Sequence, residues 1–360
     1  VALDYSLKSG ILLNNKSNDK STALDNLYKM MTTKRADGLD TRTMLNDTIK
    51  TIANPCIITQ HFGNLPENLK PTIQAYDPTV EEVTHSGCCV AASIEYNLAS
   101  QMPAEFVRVA EGISSEKMSV NKTIDLKNLC DNKDDAKWLL DNFKIPYQMK
   151  DNDKADVTIA PDKNAIIRAH IQTVDKDALE RSPLDVLMQS TFMNVGSQQT
   201  YNTLNDTRVA SFGPGNKGLV EIEKTFTESV VTDSNKTSVT FQDLQEATDK
   251  EGNPTAKLVG YKADFNVVKR SLLNSMASGQ NVIIGYTSTD EDNNIINGHE
   301  ITVIGAKVAP DGKLIFVCND TDDDLAAPVE YHEDYIIPRI HHVGLPTEVV
   351  EADNKLKSIA

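Results

Sequence analysis

The chain has 360 residues, a formal net charge of −16 and the hydrophobic fraction of a globular protein. That length can bury one large or two medium cores. The acidic balance argues against nucleic acid and against anionic membrane surfaces, both of which require a basic footprint. No apolar run approaches the roughly 18 residues of a spanning helix, so no membrane insertion is expected. Five cysteines without a CxxC pair give neither a disulfide scaffold nor a structural zinc pattern, and no cofactor or metal is expected. The chain starts Val1-Ala2-Leu3, which reads as the loss of an N-terminal segment and leaves secretion or export open. Oligomeric state is not legible.

Residues 1–21 are polar and read as a loose arm. Ser21-Thr22 then opens a helix through Leu24, Leu27, Tyr28 and Met31. A second helix runs over 40–52 and stops at Asn54-Pro55. Cys56-Ile57-Ile58-Thr59 reads as a short strand leading into Gln60, and the proline-punctuated stretch 63–86 as an irregular connection. From Cys89 to about residue 99 the pattern is helical, with Ser86 or Gly87 as cap, which puts Cys88 and Cys89 in the first turn. Helices are also predicted over 103–112 and 134–143, the latter leading into a strand at Ile145-Pro146-Tyr147. Ser182-Pro183 starts another helix through Met193, and Gly213-Pro214-Gly215-Asn216 reads as a turn.

In the last third a helix over 266–276 ends at Gly279. Strands follow over 281–287, 299–304 and 313–318. The polar loop 290–294 separates the first two, and Pro310-Asp311-Gly312 closes the last two into a hairpin. His299 and Asn319 then fall near the same open end of paired strands. Helices early and strands late give an α+β class.

Thiol, imidazole, then carboxamide or carboxylate, in that chain order, is what a cysteine nucleophile with an oriented base requires. Gly87-Cys88-Cys89-Val90-Ala91-Ala92-Ser93 resembles the Gly-Ser-Cys-Trp-Ala-Phe-Ser segment of papain-like cysteine peptidases, keeping Gly87, Cys89, Ala91 and Ser93. Gly298-His299-Glu300-Ile301-Thr302-Val303-Ile304-Gly305 is similar to that family's histidine strand, and Ile315-Phe316-Val317-Cys318-Asn319 to the strand that ends in its orienting Asn.

The resemblance implies a papain-like fold in which a helical N-terminal half packs on an antiparallel sheet or barrel. It also implies a protein or peptide substrate, hydrolysed at a peptide or isopeptide bond through an acyl-enzyme. Cys89 would be the nucleophile in preference to Cys88, and His299 the general base and acid. Asn319, or Asp320 in its place, would hold the imidazole. The 210 residues from Cys89 to His299 exceed the family's usual 130–150 or so, which calls for an enlarged middle section at about 150–260. Residues 56–360 then form the papain-like domain and 1–55 an N-terminal helical extension, a candidate inhibitory plug.

Three positions depart from the family. Val83 stands where its oxyanion Gln belongs, Val90 replaces its Trp, and Asp320-Thr321-Asp322 replaces its Ser-Trp-Gly. Gln60 is the candidate substitute at the oxyanion. These departures fit a distant branch, such as bacterial leader-processing peptidases. Two other readings use the same residues: an inactive papain-like binding module, and a transamidase or acyltransferase in which an amine replaces water.

Overall fold

A computed structural model describes residues 1–174, 179–210 and 217–359, with side chains to residue 355. The turn expected at 213–216 lies outside the described residues. The chain forms two compact units: Val1–Asp233 with Thr321–Ala326, and Ser234–Asp320 with Ala327–Ala360. The fold is mixed α+β, with most helices in the first unit and most strands in the second.

In the first unit, helices Ala23–Thr32 and Thr41–Ala53 are capped as expected. Thr22 and Asp25 form a reciprocal capping box, and Asp40 accepts from the Thr43 amide. The Ala23–Thr32 helix buries Ala23, Leu27 and Met30 against the Pro103–Ser114 helix. Leu24, Tyr28 and Met31, which the sequence pattern put inward, face solvent. The buried face is set by the contact with the neighbouring helix, and local periodicity does not see that.

The loose arm is absent. Residues 2–8 and 11–13 are helical, and Ser6, Leu12 and Ser17 are buried. Asn18 donates to Glu105 and Thr123 and accepts from the Thr123 amide. Polar side chains tie the segment down by pairing with distant backbone. Residues 1–53 thus pack inside the first unit, whose limit falls after Asp233 and not at the residue-55 boundary read from sequence.

Strands β1 (Val120–Asp125), β2 (Tyr147–Lys150) and β3 (Lys154–Ile159) form an antiparallel sheet in the order β1-β3-β2. The Cys89–Gln101 and Pro183–Gly196 helices pack on each other and are buried nearly all round, polar residues such as Glu95 and Gln189 included. Ser182 and Asp185 cap the second one reciprocally. Cys56–Thr59 is not a strand: a 3-10 turn covers Pro55–Ile57, because Pro55 starts the turn and Asn54 accepts from the Cys56 amide. Helix Lys70–Tyr76 interrupts the connection expected to be irregular.

The second unit holds β4 (Lys236–Thr240), β5 (Gln242–Thr248), β6 (Pro254–Tyr261), β7 (Val282–Thr289), β8 (Ile295–Val308), β9 (Leu314–Asn319), β10 (Val329–His332) and β11 (Ile340–Pro346). Six of them form one antiparallel sheet, β10-β9-β8-β7-β11-β4, and β5 pairs with β6. No pairing among the described residues joins the edge strands β4 and β10, so the sheet is open and not a closed barrel. Helix Phe265–Ala277, capped by Asp264 and followed by Gly279 at φ +84, lies on this sheet. Val268, Leu272, Ile284, Ile301, Val303 and Phe316 share its core.

Candidate functional site

Cys89 is the first residue of its helix and half-buried, with Cys88 as N-cap. Helix N-termini present unpaired N–H groups and a positive dipole end, a favourable place for an anionic sulfur. Gly87 precedes the pair because the backbone of Lys217 and Gly218 comes so close that a Cβ would meet it at 2.8–2.9 Å.

Cys88 points the other way and is fully buried. Its sulfur lies 3.1 Å from the Tyr201 hydroxyl and 3.5 Å from Asp206 Oδ1. Tyr201 also donates to Asp206 Oδ1 at 2.8 Å, and Asp206 Oδ2 accepts the Gly87 amide at 2.6 Å. Burial, reinforced by the Asp206 carboxylate, pushes the Cys88 thiol far above its ordinary range. Of the two adjacent thiols, Cys88 is a packing and hydrogen-bonding group and Cys89 the one with an exposed edge. Tyr201 and Asp206, which fasten this corner, lie in a polar stretch whose local chemistry gives no sign of that role.

His299 lies within β8, in the second unit, and not at a strand start. It sits opposite Tyr286 of β7, whose ring meets the imidazole edge-on with centroids 5.8 Å apart. Its Nε2 is 2.7 Å from Asp320 Oδ1, and both side chains are about one-eighth exposed. Asn319 does not make this contact. It is buried opposite Thr302, and its Oδ1 has no hydrogen-bond partner among the described residues.

The reason is parity. From the turn, Val308 pairs with Leu314, Ala306 with Phe316 and Gly305 with Val317. An irregularity then leaves Ile304 over, so that Val303 pairs with Cys318 and Thr302 with Asn319. Residues directly opposite share a face, and side chains alternate along a strand. Beyond the bulge His299, Ile301, Val303, Cys318 and Asp320 therefore share one face, while Asn319 falls on the other. Regular pairing would have reversed the assignment.

Gln60 belongs to the first unit and is buried. Its amide donates to the Thr321 carbonyl at 2.9 Å, and the Thr321 hydroxyl donates to its Oε1 at 3.0 Å. The oxygen end of the carboxamide is thereby pinned, and no described residue accepts from its Nε2.

No family model, curated protein or solved structure matches this chain. Function must be argued from the residues themselves.

The structure therefore joins His299 to Asp320, and Gln60 to Thr321, each within one unit. Cys89 belongs to the first unit and His299, Asn319 and Asp320 to the second. An aromatic group also flanks the histidine: Tyr286 adjoins Tyr331, and Tyr331 stacks on Tyr335 at 5.6 Å. Burial, with Tyr331 and Asp320 nearby, pushes the Tyr286 hydroxyl far up, so it stays protonated. Sequence reading missed Tyr286, and only the β7–β8 register finds it. The polar loop at 290–294 is a self-capped turn in which Asp290 accepts from Asp292 and Asn294.

Proposed function

We propose that the protein is a papain-like cysteine peptidase that cleaves peptide or isopeptide bonds. The observation that carries this reading is the 2.7 Å contact between His299 Nε2 and Asp320. A carboxylate on one ring nitrogen fixes the tautomer and orientation of the imidazole, leaving Nδ1 as the atom that takes the thiol proton. The position of Cys89 at a helix start, with its neighbour Cys88 sequestered, supports it as the nucleophile.

In the proposed reaction the Cys89 sulfur attacks the substrate carbonyl carbon and its proton passes to His299. The Gln60 Nε2 and the Cys89 backbone N–H donate to the developing oxyanion. As the C–N bond breaks, His299 returns the proton to the leaving amine. His299 then takes a proton from water, and the resulting hydroxide releases the acid and restores the thiol. Asp320, and not Asn319, is the orienting residue in this scheme.

The test is turnover of a broad peptide and isopeptide library by the full chain, with labelling by an epoxide or iodoacetamide probe. Cleavage lost in Cys89→Ala and His299→Ala but kept in Cys88→Ser supports the proposal. Full cleavage by Cys89→Ala overturns it. Added amines captured in place of water would mark a transamidase, and an unreactive Cys89 with no turnover would mark a binding module.

A further inference from the structure

A row of aromatic rings leads away from His299 within the second unit. Tyr286 meets the imidazole with centroids 5.8 Å apart and adjoins Tyr331 at 6.4 Å, and Tyr331 stacks nearly parallel on Tyr335 at 5.6 Å. Arg339 ends the row, its guanidinium 4.0 Å from the centre of the Tyr335 ring. Tyr286 and Tyr331 are half-buried at the rim of the core, while the helix Glu333–Ile336 carries Tyr335 outward to 43% exposure. Contiguous aromatic surface within reach of solvent marks a contact site, and Tyr and Arg are residues that contact sites favour.

Arg339 is also short of a counter-ion. Stacking uses its flat face and leaves five N–H groups at the edge, of which the Tyr335 carbonyl takes one at 2.7 Å. No carboxylate pairs with it among the described residues, although the chain has 52 acidic side chains to 36 basic ones. The two acids just before it in sequence are committed elsewhere, Glu333 to Lys269 and Asp334 to Lys313. The end of the row therefore offers donors and positive charge, which an anionic acceptor complements.

The direction of proton transfer says which part of a substrate would lie here. In the proposed reaction His299 hands its proton to the leaving amine, so the chain on that side of the cut lies against the imidazole and its neighbours. Resting on the peptidase reading, we propose that the row binds this leaving segment, and that the enzyme selects apolar or aromatic residues there followed by a carboxylate that Arg339 receives. Rigid rings supply contact area at a low entropy cost, and the guanidinium edge matches a carboxylate with two parallel bonds. Laid straight, the row is no longer than about six residues of extended chain, which sets the outer limit for that carboxylate.

The test uses two series of quenched peptides with one fixed acyl side, glutamate or glutamine standing in turn at each of the first six or so leaving-side positions. The wild type should cleave one glutamate peptide with kcat/KM about tenfold or more above its glutamine twin. In Arg339→Gln that ratio should fall to about one, and in Arg339→Glu a lysine twin should become the preferred substrate. A wild-type ratio near one at every position overturns the proposal, and so does a ratio that survives in Arg339→Gln. Cleavage of no peptide at all would count against the peptidase reading instead, and the row is then read by binding alone. Fluorescence anisotropy of the same peptides on Cys89→Ala supports it if the glutamate peptide binds about tenfold more tightly and Arg339→Gln removes the difference. Equal binding of the twins overturns it.

Discussion

His299 is held by Asp320 and not by its neighbour Asn319, because Ile304 is left over in the pairing of the two strands that carry them. In the proposed reaction Asp320→Ala should lower kcat/KM by about 10²-fold or more, the scale of a lost general-base orientation. Asn319→Ala should leave kcat within a few-fold and act on stability alone. Steady-state kinetics of both variants, with thermal midpoints alongside, separate the two residues. Equal losses of kcat would mean that the parity assignment is wrong.

The two adjacent thiols should differ sharply. Native protein treated with iodoacetamide near neutral pH should carry the label on Cys89 and not on Cys88, as read by peptide mass spectrometry. Cys88→Ala leaves the Tyr201–Asp206 pair in place but removes one partner from it. A loss of about 1–3 kcal/mol in denaturant unfolding is expected.

On the oxyanion side, Gln60→Ala should reduce kcat by about 10²-fold with a small change in KM. Thr321→Val keeps the backbone bond to Gln60 but frees its Oε1. A smaller kcat loss is expected there, since the donor remains and only its aim is relaxed. Equal kcat in wild type and Gln60→Ala would remove Gln60 from the scheme.

Acid should attack the first unit through Glu105. Burial alone would raise this carboxyl, but Lys122 and Arg108 outweigh it and hold it at about 2, below its ordinary 4.5. A depressed carboxyl stabilises the fold above its unfolded value, and that contribution is lost as pH falls from about 4.5 towards about 2. Urea unfolding across that window should show the decline. Glu105→Gln should flatten it and cost about 3–5 kcal/mol at neutral pH by leaving Lys122 buried without its anion.

Residues 1–55 were read from sequence as a removable plug, yet they share the interior of the first unit. Met30 and Met44 are fully buried, and Arg35 bonds to Glu111 and Ser114. Met30→Ala should cost about 2–5 kcal/mol. A chain beginning at residue 56 should lose its cooperative thermal transition, followed by circular dichroism. A well-folded truncated chain with raised activity would restore the plug.

What could be read beforehand followed local chemistry. Thr22, Asp40 and Ser182 announced their helices because a cap acts over three residues. The hairpin at Pro310-Asp311-Gly312 was legible for the same reason. What escaped depends on distant partners. Asn18 pairs with β1, the Ala23–Thr32 helix turns its face to a helix 80 residues on, and Tyr286 meets His299 only through register. The choice between Asn319 and Asp320 turned on one unpaired residue, Ile304, and no turn motif signals a bulge six positions before Pro310.

Thr321 has a bearing on how the chain is made. Gln60 finds its two hydrogen-bond partners in a residue 261 positions later, which leaves the ribosome only after both His299 and Asp320. The first unit thus cannot complete its own bonding during synthesis until the second unit's histidine strand has emerged. Under the proposed chemistry, the Cys89 half of the enzyme, although translated first, would wait for residues that follow His299. A nascent chain would then carry an unfinished oxyanion donor throughout the interval in which its thiol is already present.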